Sequence, residues 1–95
     1  MIIAVTTSTG PEFDRILCFK IEGSRIRERE EVRCFAGAGR FAAQLTGLEV
    51  DLLLAGRVHR ELESELEQAG VPLIRDLDGP PDALVAAYLN GTLPF

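Results

Sequence analysis

Soft-metal ligands are scarce in this chain: 95 residues hold two cysteines, Cys18 and Cys34, and one histidine, His59. The spacing of the two thiols matches no metal-binding motif, so only the fold could bring them together. Long apolar runs are missing too. Leu52-Leu53-Leu54-Ala55 is far below the roughly 20 apolar residues of a membrane span, which excludes a transmembrane helix. No Pro-, Gly- or Ser-rich stretch is long enough for an interdomain linker, and no repeat or low-complexity tract interrupts the pattern. One domain over residues 1–95 with one core is the expectation. Positive charge is in deficit, with 10 Lys and Arg against 15 Asp and Glu, a net charge of −5. Nonspecific nucleic-acid binding depends on neutralising phosphates with Lys and Arg, and this balance argues against it. Met1 leads into Ile2-Ile3-Ala4-Val5 with no charged leader and no small-residue cleavage site, so no secretory signal is expected. With 46% hydrophobic residues and no such signal, the cysteines are expected as reduced thiols in the cytoplasm.

What is present reads as an α/β pattern in the order β-β-β-α-β-α-β-α. The β-branched run of residues 2–6 ends in Thr-Ser-Thr-Gly-Pro, which is loop chemistry. Residues 16–21 form a second strand, Glu22-Gly23-Ser24 a tight turn, and residues 25–34 the returning strand of a hairpin. Strict alternation places Arg25, Arg27, Arg29, Glu31 and Arg33 on one face of that strand and Ile26, Glu28, Glu30, Val32 and Cys34 on the other. Charge on both faces suits a solvated edge strand that resists pairing with other molecules. Then the period changes. Phe41, Ala42 and Leu45 recur at helical spacing after Gly37-Ala38-Gly39, and Gly47 is the expected stop. Residues 50–55 read as a buried parallel strand. Residues 59–69 read as a helix with Leu62 and Leu66 inward and Gly70 as its stop, and residues 71–74 as the last strand. Gly79-Pro80-Pro81-Asp82 opens a final helix with proline and an acid in its first turn. Leu84, Val85, Tyr88 and Leu89 make its apolar stripe, and Asn90-Gly91 closes it.

A hairpin followed by strand–helix–strand units gives a mixed five-stranded sheet covered by helices. Right-handed crossovers put the first strand in the centre, in the order 3-2-1-4-5. The loops 6–15, 35–40 and 56–59 then meet at the carboxyl ends of strands 1, 3 and 4, the edge where open α/β sheets bind ligands.

Several segments, taken in order, resemble the dinitrogenase iron–molybdenum cofactor biosynthesis family. Ile2-Ile3-Ala4-Val5 is similar to the family's first strand. Pro11-Glu12-Phe13-Asp14-Arg15 stands where the family has Pro-His-Phe-Gly-Arg, and Gly37-Ala38-Gly39 is the family's Gly-Ala-Gly unchanged. Val50-Asp51-Leu52-Leu53-Leu54-Ala55-Gly56 matches its fourth strand, residues 66–71 its Leu-x-x-x-Gly-Ile/Val ending, and residues 83–93 its Ala-x-x-x-Tyr-x-x-Gly-x-Leu close. The resemblance spans nearly the whole chain. It implies a ribonuclease-H-like three-layer fold and a non-catalytic protein that binds or carries iron–molybdenum cofactor, or an iron–sulfur or molybdenum–sulfide type cluster. Metal-cofactor assembly proteins are the implied partners. Glu12 replaces the family's His, Asp14 replaces its Gly, and Arg57-Val58-His59 replaces a glycine-rich start of the second helix.

The candidate cofactor-binding residues are Glu12, Arg15, Cys34, Gly37, Gly39, Arg40 and His59, with Cys34 and His59 as possible metal ligands. Gly37 and Gly39 could aim main-chain N–H groups at an anion, or simply let strand and helix pack closely. Cys34 ends the edge strand beside the Gly loop and is a soft donor; Cys18 fits a buried, inert thiol. Arg15, Arg40, Arg57, His59 and Arg60 all fall in or beside the three loops, so the edge is cationic in an acidic protein. The alternative expectation is an anion- or nucleotide-binding regulatory module using residues 37–39 and these arginines. A third is a protein-interaction domain without a ligand. Two-metal nuclease chemistry needs converging carboxylates; the first strand carries none, and Asp51 begins its strand at the opposite end. A Cys–His dyad lacks an orienting third group. The expectation is a monomer or weak homodimer that is neither an enzyme nor a nucleic-acid or membrane binder.

Overall fold

The computed structural model describes residues 1–6, 15–33 and 38–92. Its central strand, β1 (Ile2–Thr6), buries Ile3, Ala4 and Val5 almost completely, which is why it carries no charge. β1 pairs antiparallel with β2 (Arg15–Glu22) and parallel with β4 (Leu52–Leu54). The hairpin partner β3 (Arg25–Arg33) forms one edge and the short β5 (Leu73–Ile74) the other. The order is β3-β2-β1-β4-β5, the order expected from right-handed crossovers.

Alternation along the strands builds a core on each face. On one face Ala4, Ile16, Cys18 and Leu53 pack against Phe41, Ala42 and Leu45 of α1 (Ala38–Gly47) and Leu62 and Leu66 of α2 (Arg60–Ala69). On the other, Ile3, Val5, Phe19, Ile21 and Leu54 pack against Val85 of α3 (Pro81–Asn90) and Leu77. Each fully buried large side chain is worth about 1.5–3 kcal/mol of transfer free energy. Leu84, Tyr88 and Leu89 of α3 are half-buried around Val85, the stripe expected of that helix. Among the described residues no helix is long and apolar enough to cross a membrane.

Three local features depart from the sequence pattern. In β3, Lys20 pairs with Glu28 but Ile21 pairs with Ile26, leaving Arg27 as an extra residue. This bulge reverses the alternation. Ile26 turns to the face of Ile21 and packs in its core, and Arg25 moves to the side of Glu28 and Glu30. In α1, the helix starts at Ala38, so Gly39 and Arg40 belong to its first turn and not to a preceding loop. The helix ends at Gly47 as expected, but the left-handed residue that closes it comes two positions later. Glu49 takes the left-handed conformation (φ 59°), its N–H donates to Thr46 O (3.0 Å), and Val50 N–H donates to Leu45 O (3.0 Å). That is a Schellman closure, with Val50 and Leu45 in one core. Finally, α2 begins one residue after His59, which is its N-cap without a side-chain capping bond.

β4 and β5 are shorter than the apolar runs that contain them. Leu53 N–H donates to Pro72 O and Ala55 N–H to Ile74 O, both at 2.9 Å. After β5 the chain folds back on the end of β4: Asp76 N–H donates to Gly56 O (2.7 Å) and Leu77 N–H to Ala55 O (3.1 Å). A Cβ on Gly56 would lie 3.3 Å from Leu77 O, so a larger residue would push this segment away.

Candidate functional site

The carboxyl ends of β1, β3 and β4 lie together at one end of the sheet, as their pairing requires. Glu12, Cys34 and Gly37 fall outside the described residues. Of the rest, the structure divides the set between the two faces of the sheet.

Gly39, Arg40 and His59 belong to the α1–α2 side. Phe41, Ala42 and Leu45 anchor α1 in the core, which leaves Gly39 and Arg40 exposed at its start. Val58 is buried in the same core, so Arg57 and His59 on either side of it are held outward, and Arg60 follows in the first turn of α2. A carboxylate already stands here. A Cβ on Gly39 would lie 3.6 Å from Glu65 Oε2, so Glu65 of α2 rests against the amino-terminal turn of α1. The positive end of the helix dipole favours a negative group at that place, and α1 supplies no acid of its own in its first turn.

Arg15 belongs to the other side. As the first residue of β2 it alternates with Leu17 and Phe19, toward the face that α3 covers. Its Nη1 donates to Glu31 Oε1 at 2.5 Å, an ion pair with both side chains about half exposed. Directly across the ladder stands Arg33, whose main-chain carbonyl accepts from Gln44 Nε2 of α1 (2.7 Å). Arg33 was not among the sequence candidates. Its place at the end of the edge strand was visible, but its cross-strand partner follows from the bulge at Arg27. Arg75, just after β5, also adds charge at this edge, yet it is paired with Glu63 (2.6 Å) and Asp76 (3.7 Å). Arg33, Arg57 and Arg60 have no ion pair among the described residues.

Cys18 is 8% exposed in the α1–α2 core, and burial, aided by the charge of Glu30, pushes its thiol above the ordinary range. It is a packed, protonated thiol and a poor ligand or nucleophile. Asp51 lies at the amino edge, where its Oδ2 accepts from Ile2 N–H (2.8 Å) while Asp51 N–H donates to Ile2 O (2.8 Å). That carboxylate fixes the start of β1. Among the described residues no group of three or more His, Cys, Asp or Glu side chains could hold a metal ion. The described part of the edge thus lacks a chelating set; it offers cationic side chains and one imidazole.

The sequence matches no protein-family model and no curated protein. The crystal structure of PH0822 has the same fold: it superposes with a TM-score of 0.86 at 15% identity, covering 99% of this chain and 95% of that one.

Proposed function

We propose that this chain is a small non-catalytic binding or carrier module for an anionic metal–sulfide cluster, of the iron–molybdenum or iron–sulfur type, in metal-cofactor assembly. The observation that carries it is the placement of Arg40, Arg57, His59 and Arg60 at the carboxyl edge of an acidic protein, held outward by the buried Phe41 and Val58. Charge-assisted hydrogen bonds from such groups suit an anion of distributed charge. The resemblance to the cofactor biosynthesis family supplies the cluster, with Cys34 and His59 as its nominated donors, and cofactor-assembly proteins as partners. Anaerobic reconstitution with iron–sulfur or molybdenum–sulfide precursors tests this. Stoichiometric coloured protein after desalting is the expected result, and colourless, metal-free protein would count against it.

The second function, an anion- or nucleotide-binding regulatory module, draws on the same arginines and the first turn of α1. A thermal-shift panel of nucleotides and oxoanions separates the two, since a ligand that binds the native state raises apparent stability.

A further inference from the structure

At the end of the sheet opposite Arg40 and His59, we propose a docking cleft for a basic segment of a partner protein, which inserts an arginine or lysine side chain between β3 and the end of α1. This docking does not depend on the cluster. The cleft exists because the hairpin outruns the helix that covers it. Phe41, Ala42 and Leu45 of α1 pack with Ile16 and Cys18, but α1 ends at Gly47. A cavity of about 330 Å³ is left between Gly47–Glu49 and the rungs Cys18–Glu30 and Lys20–Glu28. Its apolar lining comes from Ile2, Val32 and Leu48, all half-buried, and from Cys18, which is 8% exposed. Its charge comes from Glu28, Glu30 and Glu49 against Lys20. Arg29 also touches the cleft, but Asp82 holds its guanidinium on the opposite face, beside Phe19. Lys20 is taken by Glu28 at 3.6 Å, so the surplus negative charge belongs to Glu30 and Glu49. Both stand where local rules disfavour an acid. Glu49 has left-handed backbone (φ 59°) just past the negative end of α1, whose last turn holds no basic residue. Glu30 stands across the ladder from the buried Cys18 and shares its face with Glu28. Local rules are broken in this way chiefly where function requires it.

An arginine or lysine side chain answers each of these features. Its aliphatic stem covers the apolar lining while the charged head stays at the rim. The cation complements the carboxylates and the helix end, and a pocketed arginine is a common anchor of protein interfaces. The surface continues beyond the cleft, which favours a partner segment over a free amine. Ile2 also lines two neighbouring hollows, both reaching Met1 and carrying further carboxylates, Asp51 in one and Glu22 in the other. Met1 is 51% exposed, the only exposed large hydrophobic residue among those described.

Short blocked peptides titrated into the full chain, followed by its amide resonances, test the cleft. One peptide has Leu-Arg-Leu-Arg at its centre, one has citrulline for each arginine, and one has Leu-Glu-Leu-Glu. The expected result is saturable binding of the arginine peptide alone, with shifts at Val32, Leu48 and Glu49. Glu30→Gln or Glu49→Gln is expected to weaken it by about threefold or more, and the double variant by about tenfold or more. Glu61→Gln removes the same charge at the other end of the molecule, in the first turn of α2, and is expected to change affinity less than twofold. All three glutamates are exposed, so each variant keeps the fold. Absence of saturable binding, equal binding of the citrulline peptide, shifts confined to Arg40 and His59, or equal weakening in Glu61→Gln would each overturn the proposal. Spermidine or argininamide binding the cleft as tightly as the peptide would overturn it too, because the partner segment would then add nothing. Colourless protein after reconstitution would remove the cluster and leave peptide binding intact, so the two failures are distinguishable.

Discussion

Arg29 donates from Nη1 to Asp82 Oδ2 at 2.5 Å while its guanidinium lies 5.9 Å from the centroid of the Phe19 ring. One side chain thus ties the edge strand β3 to the first turn of α3 across a fully buried aromatic. Both charged groups are about half exposed, so solvent screening limits the pair to a few tenths of a kcal/mol, with about 0.5–1 kcal/mol more from the cation–π contact. Arg29→Ala should lower stability by about 1 kcal/mol in urea denaturation. Asp82→Ala should cost less, and high salt should remove most of the Asp82 effect but little of the Arg29 effect.

Glu49 holds the left-handed position that closes α1, a conformation costing a non-glycine residue about 1 kcal/mol. Glu49→Gly should therefore stabilise the protein by about 0.5–1 kcal/mol, and Glu49→Val should destabilise it by at least as much. A shift of the urea midpoint in the opposite order would disprove this account of the cap.

Gly39 makes stability and binding separable. It lies in the first turn of α1, and a Cβ there would meet Glu65 at an ordinary 3.6 Å. Gly39→Ala should stabilise the helix by up to about 1 kcal/mol. If an anion approaches the main chain at this turn, the same change should weaken cluster or anion retention, so the melting temperature rises as binding falls. Unchanged binding would assign Gly39 to packing alone.

Gly56→Ala works the other way. The new methyl would stand 3.3 Å from Leu77 O, and the segment that donates to Gly56 O and Ala55 O would have to shift. A loss of about 1–2 kcal/mol is expected, with faster amide exchange at Asp76 and Leu77.

The Cys18 thiol has its folded pKa raised by burial and then by Glu30. The folded state therefore holds the proton more tightly than the unfolded state. Its contribution is fully present below the unfolded thiol value of about 8.5 and is lost as pH rises through the folded value. Stability measured from neutral pH to about pH 10 should fall more steeply in the parent than in Cys18→Ala, whose overall stability is lower because of the space left behind.

The apolar run of β1, the hairpin and the three amphipathic helices were legible because each states its period locally, and crossover handedness then dictated the order of strands. Ile26 was not. Alternation assigned it to the side of Glu28 and Val32, but burying it beside Ile21 required an extra residue at Arg27. Glu49 was hidden for a similar reason: Gly47 is the residue a local rule selects, whereas the contact of Val50 with the Leu45 core decides where the helix closes. Arg40, Arg57 and His59 were nominated from their place beside strand ends, and all three are exposed. That Arg15 faces away from them, and toward Arg33, depends on which face of β2 is buried under α3. Glu65 gave no local signal, since it reads as one more exposed acid of α2.

β1 lies beside β2, the next strand in the chain, and β4, so that Ile2 and Asp51 meet across 49 positions. The meander β1–β2–β3 can pair as soon as it is synthesised, but its two apolar faces are covered only once β4 and the helices follow. Long-range pairings of that kind are slow, because loop closure must precede them. Until β4 pairs with β1, the meander has Ile3, Phe19 and Ile16 uncovered and two open edges, β1 and β3. Of the two, β3 carries dense alternating charge that makes it a poor template for a second nascent chain. The arginines and glutamates of β3 thus guard one edge from the start, while the apolar β1 edge is protected only when β4 pairs with it.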